Sequence, residues 1–216
     1  MPTAFMTHDS KFWDRIADSY FASPIKKPDL YEEKLRQTQA LMKPHMRMLE
    51  FGCGTGGTAV KHAPHVKSIL ATDISEQMLE IGRSQAAAAG ATNIDFQRAD
   101  IADYKAEPES FDMVLGMSIL HLVKDPGAVI QNVHSWLKPG GYFITSTACL
   151  GDKMAWFRYV GPIGRAIGKL PYVNVFKAET LVTQMKAAGF TVETRWQPDG
   201  DHVLFLITRK SDASEE

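Results

Sequence analysis

Short apolar runs alternate with amphipathic stretches along most of this chain. The apolar runs predict five strands, and strands separated by helical segments are typical of a parallel sheet with helices on both faces. The expected strands are residues 46–51, 68–73, 94–98, 111–116 and 141–147. The fold class predicted from this pattern is therefore α/β.

The polar and apolar spacing between these strands predicts the helices. We expect helices at 58–63, at 75–89 with Ser75 as its capping residue, and at 126–137. The run Lys138-Pro139-Gly140-Gly141 is expected to stop the last of these and turn into the fifth strand. Near the C-terminus, a helix over 179–188 and strands over 190–196 and 202–209 follow, and a turn at 198–201 makes the two strands an antiparallel hairpin.

Two segments fall outside this core. Residues 1–43 predict two helices, the second over 29–42, and residues 150–176 are inserted between the fifth strand and the last helix. A chain of 216 residues with 44% hydrophobic content predicts one domain over 1–210, followed by a disordered acidic tail at 211–216. No internal repeat is visible.

Charge and cysteine content narrow the class of protein. A net charge of −1 implies neither a polyanionic partner nor an acidic membrane surface, although a local basic patch would not show in the total. Two cysteines are too few for a disulfide framework and favour a reducing compartment. No leader-like or membrane-spanning apolar run is seen, so we expect a cytoplasmic protein with no integral membrane association.

The most informative segment is residues 48–58, where a buried strand breaks into a glycine-rich turn at a helix start. Gly52, Gly54 and Gly56 allow a tight turn and a close approach to a ligand. Glu50, just ahead, would repel a pyrophosphate and attract an ammonium group. The same glycines also fit the dinucleotide fingerprint with Asp73 as the ribose-binding acid, so this turn alone leaves NAD, or no ligand at all, open.

Other chemistry-bearing residues follow the strand ends, where open parallel sheets bind their ligands. Asp73 ends the second strand, Asp100 follows the third, and the fourth runs into Gly116-Met117-Ser118. A carboxylate can accept two hydroxyl hydrogens, and another can accept from an exocyclic amine.

Taken together, residues 45–150 resemble the class I S-adenosylmethionine (SAM) methyltransferases, with 48–58 as motif I. The resemblance implies a Rossmann-like, doubly wound, seven-stranded sheet in the order 3-2-1-4-5-7-6. It implies that Asp73 accepts both ribose hydroxyls and Asp100 meets the adenine amino group. The remaining cofactor-binding positions that it implies are Glu50, Gly52, Cys53, Gly54, Gly56, Ile74, Met78, Ile101 and Met117.

Within that set, Ile74 and Ile101 would sandwich the adenine, Met78 would close one edge and Met117 would face the sulfonium. By periodicity alone, the first three are equally compatible with ordinary core positions, and Asp73 with a helix cap. The small side chain of Cys53 is expected to pack, and we do not assign it as a nucleophile.

Residues 12–20 resemble the entrance segment of the ubiquinone/menaquinone-type methyltransferases. This implies an N-terminal helical lid in which Tyr20 points at the SAM carboxylate and Trp13 packs over the closed site. Ordinary helix packing is the alternative. The insertion at 150–176 is apolar on one side, so it is expected to roof an acceptor pocket, to make a peripheral lipid contact, or to pack on the sheet edge.

His121 lies just beyond the fourth strand, where an imidazole can act as a general base; a structural histidine is the alternative. The histidines show no metal-ligand spacing, and no acid pair follows the fourth strand, so no metal is predicted. There is also no Asn/Asp-Pro-Pro-aromatic run and no basic, aromatic-interleaved patch, which argues against a nucleic-acid substrate.

The resemblance therefore implies methyl transfer from SAM to O, N or S of a small, partly apolar acceptor, with S-adenosylhomocysteine as the product. A non-catalytic SAM-binding protein and an NAD-dependent oxidoreductase are the alternatives. The acceptor and the oligomeric state stay open.

Overall fold

The computed structural model describes residues 8–198 and 201–212. Its strands are β1 (Arg47–Phe51), β2 (Ser68–Asp73), β3 (Ile94–Arg98), β4 (Phe111–Met117), β5 (Leu137–Ala148), β6 (Phe190–Trp196) and β7 (Val203–Lys210). They form one sheet in the order β3-β2-β1-β4-β5-β7-β6. The predicted α/β fold, strand order and C-terminal hairpin are confirmed.

The helices occupy the predicted places with small shifts at their ends. They are α1 (His8–Ala22), α2 (Pro28–Gln39), α3 (Gly57–His62), α4 (Glu76–Ala88), α5 (Pro126–Trp136), α6 (Phe157–Ala166) and α7 (Ala178–Ala187). Helix α2 ends three residues before the predicted limit, because residues 41 and 42 continue as turns bonded to Thr38 and Gln39. Ser75 caps α4 by accepting the backbone N–H of Met78 at 3.2 Å.

The chain divides into two compact units, residues 1–101 and 102–216. In the first, β1 and β3 both pair in parallel with β2, and the fully buried side chains include Leu49, Phe51 and Leu79. A single domain over 1–210 stays a prediction.

In the second unit, β4 pairs in parallel with β5, while β7 pairs antiparallel with β5 and β6. Phe143, Phe205 and Leu115 are fully buried there. Residues 199 and 200 of the predicted hairpin turn lie outside the described residues, as do residues 213–216 of the predicted tail. Asp212 accepts a hydrogen bond from Arg209 at 2.9 Å.

One predicted boundary is wrong. The fifth strand begins at Leu137 rather than at Gly141, because Leu137 already pairs with Phe111 on β4. Tyr142 is the next paired residue, opposite Met113, so the residues between form an irregularity inside the strand. Gly140 supplies the left-handed backbone conformation there, with φ of 73°. Pro139, Gly140 and Gly141 therefore lie inside β5, where they make it irregular, rather than before it.

Candidate functional site

The glycine turn joins β1 to α3 through three residues in left-handed backbone conformations. Gly52, Gly54 and Gly56 have φ angles of 62°, 54° and 76°, a region that side chains with a Cβ rarely adopt. The N–H of Gly56 donates to the carbonyl of Cys53 at 3.0 Å, and the N–H of Cys53 donates to Thr72 on β2 at 3.0 Å. The turn is thus tight and fixed to the neighbouring strand.

A phenylalanine lies directly behind this turn. A Cβ on Gly56 would lie 2.8 Å from Cε1 of Phe96, and a Cβ on Gly82 in α4 would lie 2.7 Å from the same atom. Phe96 itself is buried. The turn, α4 and β3 therefore approach one another only because two glycines face one aromatic ring.

Asp73, at the end of β2, holds the turn from the side. Its Oδ2 accepts the backbone N–H of Gly54 at 2.8 Å, and its Oδ1 accepts that of Ser75 at 2.9 Å. Burial raises the pKa of this carboxyl, while backbone N–H groups of Ser75, Gly54 and Ile74 oppose the rise. A carboxylate has about four acceptor sites, so this one can still accept a hydroxyl hydrogen from a ligand.

Glu50 is a buried acid without a hydrogen-bond partner for Oε2 among the residues that the structure describes. Its side chain is on β1, the residue is 1% exposed, and burial raises the pKa of its carboxyl to about 8. An unpaired buried carboxyl is costly, and a cationic group at the glycine turn would offset that cost. This orphaned oxygen fits a ligand that carries an ammonium group.

The C-terminal part of helix α1 lies beside the glycine turn. A Cβ on Gly54 would lie 3.9 Å from Cε1 of Tyr20, whose ring is half exposed. Burial, followed by the charge of Asp73, raises the pKa of the Tyr20 phenol. Trp13 packs edge-on against Tyr20, with ring centroids 6.2 Å apart. The two aromatic residues predicted for the lid therefore lie together, and Tyr20 lies beside Gly54.

An aspartate fixes α1 to the start of α4. Oδ1 of Asp14 accepts from the Ser75 hydroxyl at 2.6 Å and from the N–H of Gln77 at 3.3 Å. Since Asp14 occupies the positive end of a helix, its carboxylate is stabilised there. Sequence reasoning missed this residue, because Asp14 and Ser75 are separated by 61 positions in the sequence and no local signal reveals their contact.

The ends of β2 and β3 are tied together near the predicted adenine contacts. The N–H of Ala99 donates to Asp73 O at 2.9 Å, and Nε of Arg98 donates to Ile74 O at 3.0 Å. Asp100 and Ile74 are half-buried, whereas Ile101 and Met78 are 7% and 2% exposed. Asp73, Asp100 and both isoleucines thus follow two strands joined at their carboxyl ends.

The remaining two predicted residues belong to the second unit. Met117 is half-buried at the end of β4, and His121 lies in a short 3-10 turn, Leu120–Leu122. Nδ1 of His121 is buried and has no hydrogen-bond partner within the described residues. Burial, and then the charge of His202, lower its pKa to about 4. His121 is therefore a neutral imidazole at physiological pH.

The thiol of Cys53 is unreactive. Burial, and then the acids Asp73 and Glu50, raise the pKa of the Cys53 thiol well above its usual range, so it stays protonated. Within residues 8–198 and 201–212, no three His, Cys, Asp or Glu side chains are grouped to hold a metal ion.

A family comparison decides the class. The profile of the family described as "methyltransferase domain" matches residues 42–187, which include β1, the glycine turn and Asp73. The chain belongs to this methyltransferase family. A similar relative is the ubiquinone biosynthesis O-methyltransferase of Paracidovorax citrulli, 30% identical over 152 residues, or 68% of this chain and 63% of that protein. The methyltransferase chain spans less than two thirds of the length of the first curated relatives it matches.

Solved structures show the same fold at low sequence identity. An S-adenosylmethionine-dependent methyltransferase from Mesorhizobium loti is 21% identical, with a TM-score of 0.68 over 82% of this chain and 95% of its own. A phosphoethanolamine N-methyltransferase of Haemonchus contortus, solved with S-adenosylhomocysteine, is 18% identical, with a TM-score of 0.70 over 84% of this chain and 53% of its own. The resemblance to Rossmann-like methyltransferases is confirmed.

Proposed function

We propose that this protein is a class I methyltransferase that transfers the methyl group of S-adenosylmethionine to O, N or S of a small, partly apolar acceptor. The observation that carries the proposal is the pairing of a glycine turn held by Asp73 with the buried carboxyl of Glu50, whose Oε2 has no partner in the described part of the chain. The ammonium group of SAM would favour ionisation of the Glu50 carboxyl and pair with it, whereas the pyrophosphate of a dinucleotide would oppose that ionisation. That difference favours SAM over NAD.

In this proposal the first unit holds the donor. Asp73 accepts the ribose hydroxyls with the lone pairs left after binding Gly54 and Ser75. Asp100 accepts from the adenine amino group, with Ile74, Ile101 and Met78 as the apolar contacts of the base. The backbone of Gly52, Cys53, Gly54 and Gly56 approaches the methionine portion, and Glu50 balances its ammonium charge.

SAM supplies a methyl group on a sulfonium, which is already activated for displacement. The chain's own contribution is then orientation and exclusion of water, and orientation alone is worth roughly 7–11 kcal/mol of a reaction barrier. Tyr20 on α1 lies beside Gly54 and Trp13 packs on Tyr20, and these two residues are proposed to act as a lid. Met117 is proposed to face the reacting end of the donor.

His121 is the proposed general base for a phenol or ammonium acceptor. With a pKa lowered to about 4, its imidazole is unprotonated at neutral pH and can accept a proton, although as a weak base. Nδ1 is buried and makes no hydrogen bond within the described chain, so it has a lone pair for a substrate donor that binds against it inside the protein. The cytoplasm is the proposed compartment, since Cys53 and Cys149 are both free thiols.

Calorimetric titration of cofactor-stripped protein tests the proposal. SAM and S-adenosylhomocysteine are expected to bind, and NADH, run as the control, is not. If SAM binds, phenols, amines, thiols and lipid-like acceptors are then screened for methyl transfer. Binding of NADH without SAM would assign the glycine turn to an oxidoreductase, and SAM binding without turnover of any acceptor would favour a regulatory binding protein.

A further inference from the structure

Helix α6 turns its apolar side to solvent. Trp156, Tyr159, Val160, Ile163 and Ile167, here named the α6 face, are 56%, 74%, 41%, 64% and 62% exposed. None of the α6 residues is buried, so this helix does not bury its apolar side against the sheet edge. Single exposed apolar side chains are common, but a continuous patch of this kind marks a contact surface.

The α6 face is one continuous stripe. Its members follow the spacing i, i+3, i+4, i+7 and i+11, which places them on the same side of a helix. Arg158 and Arg165 lie about half a turn away, on the opposite side. Arg165 also stacks on the Tyr172 ring, 5.3 Å from its centroid. The helix is therefore amphipathic, with its polar side cationic.

Charge separates this segment from the rest of the chain. Residues 153–178 contain no Asp or Glu, and their basic residues are Lys153, Arg158, Arg165, Lys169 and Lys177. The whole protein carries a net charge of −1, so the positive charge is local. A partner that fits this segment has to offer an apolar interior and negative charge at its surface.

Backbone hydrogen bonds hold both ends of the inserted segment, residues 150–176, in place within the second unit. Gly151 N donates to Phe176 O at 2.8 Å, which closes the base of the insertion. Asn174 N donates to the carbonyl of His121 at 2.7 Å, and the Asn174 side chain donates to Val123 and Lys124 carbonyls at 3.3 and 3.2 Å. The α6 face therefore belongs to a loop whose two ends are hydrogen-bonded to each other. The C-terminal end of this loop is also hydrogen-bonded to the turn that contains His121.

We propose that the α6 face docks on an anionic phospholipid surface, with α6 lying in the plane of the interface. A bilayer with anionic headgroups provides the apolar layer that Trp156 and the isoleucines require and the negative charge that complements Arg158 and Lys169. Within the described residues, no helix is both long and apolar enough to cross a bilayer, so contact through α6 is peripheral. The inference does not depend on methyl transfer.

Vesicle flotation of the full-length protein tests it. Vesicles of equimolar phosphatidylcholine and phosphatidylglycerol are compared with pure phosphatidylcholine, without cofactor or acceptor. We expect binding to the anionic vesicles that salt weakens, since part of the attraction is electrostatic. The double variant Ile163→Ser/Ile167→Ser is expected to lower the bound fraction about tenfold or more, because it removes apolar area from the face.

Two matched variants define the surface. Ile25→Ser, at an isoleucine outside α6 that is also more than half exposed, is expected to bind as the unmodified protein does. Arg158→Gln/Lys169→Gln is expected to weaken binding to anionic vesicles only, and it serves as the second test if the isoleucine variant fails to fold. Circular dichroism checks the fold of each variant.

Three results would overturn the proposal. The first is no binding of the unmodified protein to anionic vesicles, and the second is equal binding by the Ile163→Ser/Ile167→Ser variant. The third is a dimer, seen by light scattering, that this variant dissociates, because the occupant of the α6 face would then be a second copy of the chain.

Discussion

The carboxylate of Asp73 accepts the backbone N–H of Gly54 at 2.8 Å, so an acid at the end of one strand fixes the turn that follows another. Ser75 N is held by the other oxygen at 2.9 Å. An acid expected to bind a ligand therefore also supports the backbone that shapes the site. Replacing it affects both, and a test of its binding role has to separate the two.

The Asp73→Ala variant is therefore tested with two ligands, one with the ribose 2′-hydroxyl and one without it. In the unmodified protein, S-adenosylhomocysteine is expected to bind about 10 to 100-fold more tightly than its 2′-deoxy analogue, the usual range for a hydrogen bond to a charged group. In Asp73→Ala both ligands weaken, and the ratio between them falls toward one. Isothermal titration calorimetry measures both affinities. A ratio that stays unchanged in the variant would remove Asp73 from the ribose contact.

Gly56→Ala and Gly57→Ala form a matched pair of neighbours. At Gly56 a Cβ meets Phe96 at 2.8 Å and the backbone has a φ of 76°, so we expect a loss of about 2–4 kcal/mol in the free energy of unfolding. At Gly57, in α3, a Cβ meets nothing within 4 Å, and alanine is expected to be neutral or to stabilise by about 0.4–1 kcal/mol. Urea unfolding measures both. Equal effects at the two positions would contradict the packing of the turn against Phe96.

Glu50→Gln is predicted to change how stability depends on pH. The folded-state pKa of about 8 lies above the usual value for glutamate, so the unfolded chain loses this proton first. The contribution of Glu50 to stability is then complete below about pH 4 and is lost as pH rises toward 8. A neutral glutamine avoids the loss, which is worth several kcal/mol, so the variant is expected to be the more stable protein at pH 8 but not at pH 5.

Urea unfolding at the two pH values checks this, with exposed Glu107→Gln as the control. A parallel pH dependence for Glu50→Gln and the unmodified protein would disprove the buried neutral carboxyl. In the same variant SAM is expected to bind more weakly, because the counter-charge for its ammonium group is gone.

Asp14→Ala is expected to loosen α1 without unfolding the rest of the protein. The change removes two hydrogen bonds to the start of α4, each worth about 1.5–3 kcal/mol when one partner is charged. Hydrogen exchange in α1 is expected to rise, and SAM affinity to fall by a few fold. Asp18→Ala, at an exposed position one turn further along the same helix, is the control. Unchanged exchange in α1 would mean that aromatic packing alone holds the helix.

His121→Gln is expected to lower kcat about 100-fold or more toward an acceptor found in the screen, the usual contribution of a general base. Because burial lowers the pKa of His121 to about 4, kcat should show no inflection near pH 6.5 in the unmodified protein. His202→Gln, at a half-exposed neighbour, is the control. Full activity of His121→Gln at every pH would make His121 a structural residue.

The lowered pKa of His121 also affects the stability of the folded protein in acid. The unfolded chain takes up a proton on this histidine below about pH 6.5, whereas the folded chain resists protonation down to about pH 4. Stability that depends on a neutral His121 is therefore complete above pH 6.5 and is lost as pH falls toward 4. Buried His62, whose pKa is also lowered to about 4, adds a loss of the same sign.

The sequence predicted most of the fold because its signals are local. Ser75 marks the start of α4, and the strand ending at Asp73 was placed by its apolar run alone. The start of β5 was misplaced because a proline and two glycines are strong turn signals, whereas the pairing of Leu137 with Phe111 depends on another strand. The contacts of Asp14 with Ser75 and of Asn174 with His121 join distant segments, so no spacing rule reveals them.

The ring of Phe96 faces two glycines, Gly56 and Gly82, from different elements. No larger residue fits at either glycine while that ring stays in place, and a smaller residue at 96 would leave a void behind both. These three positions are therefore expected to covary among relatives of this chain. A homologue with alanine at position 56 or 82 should carry a residue smaller than phenylalanine at position 96.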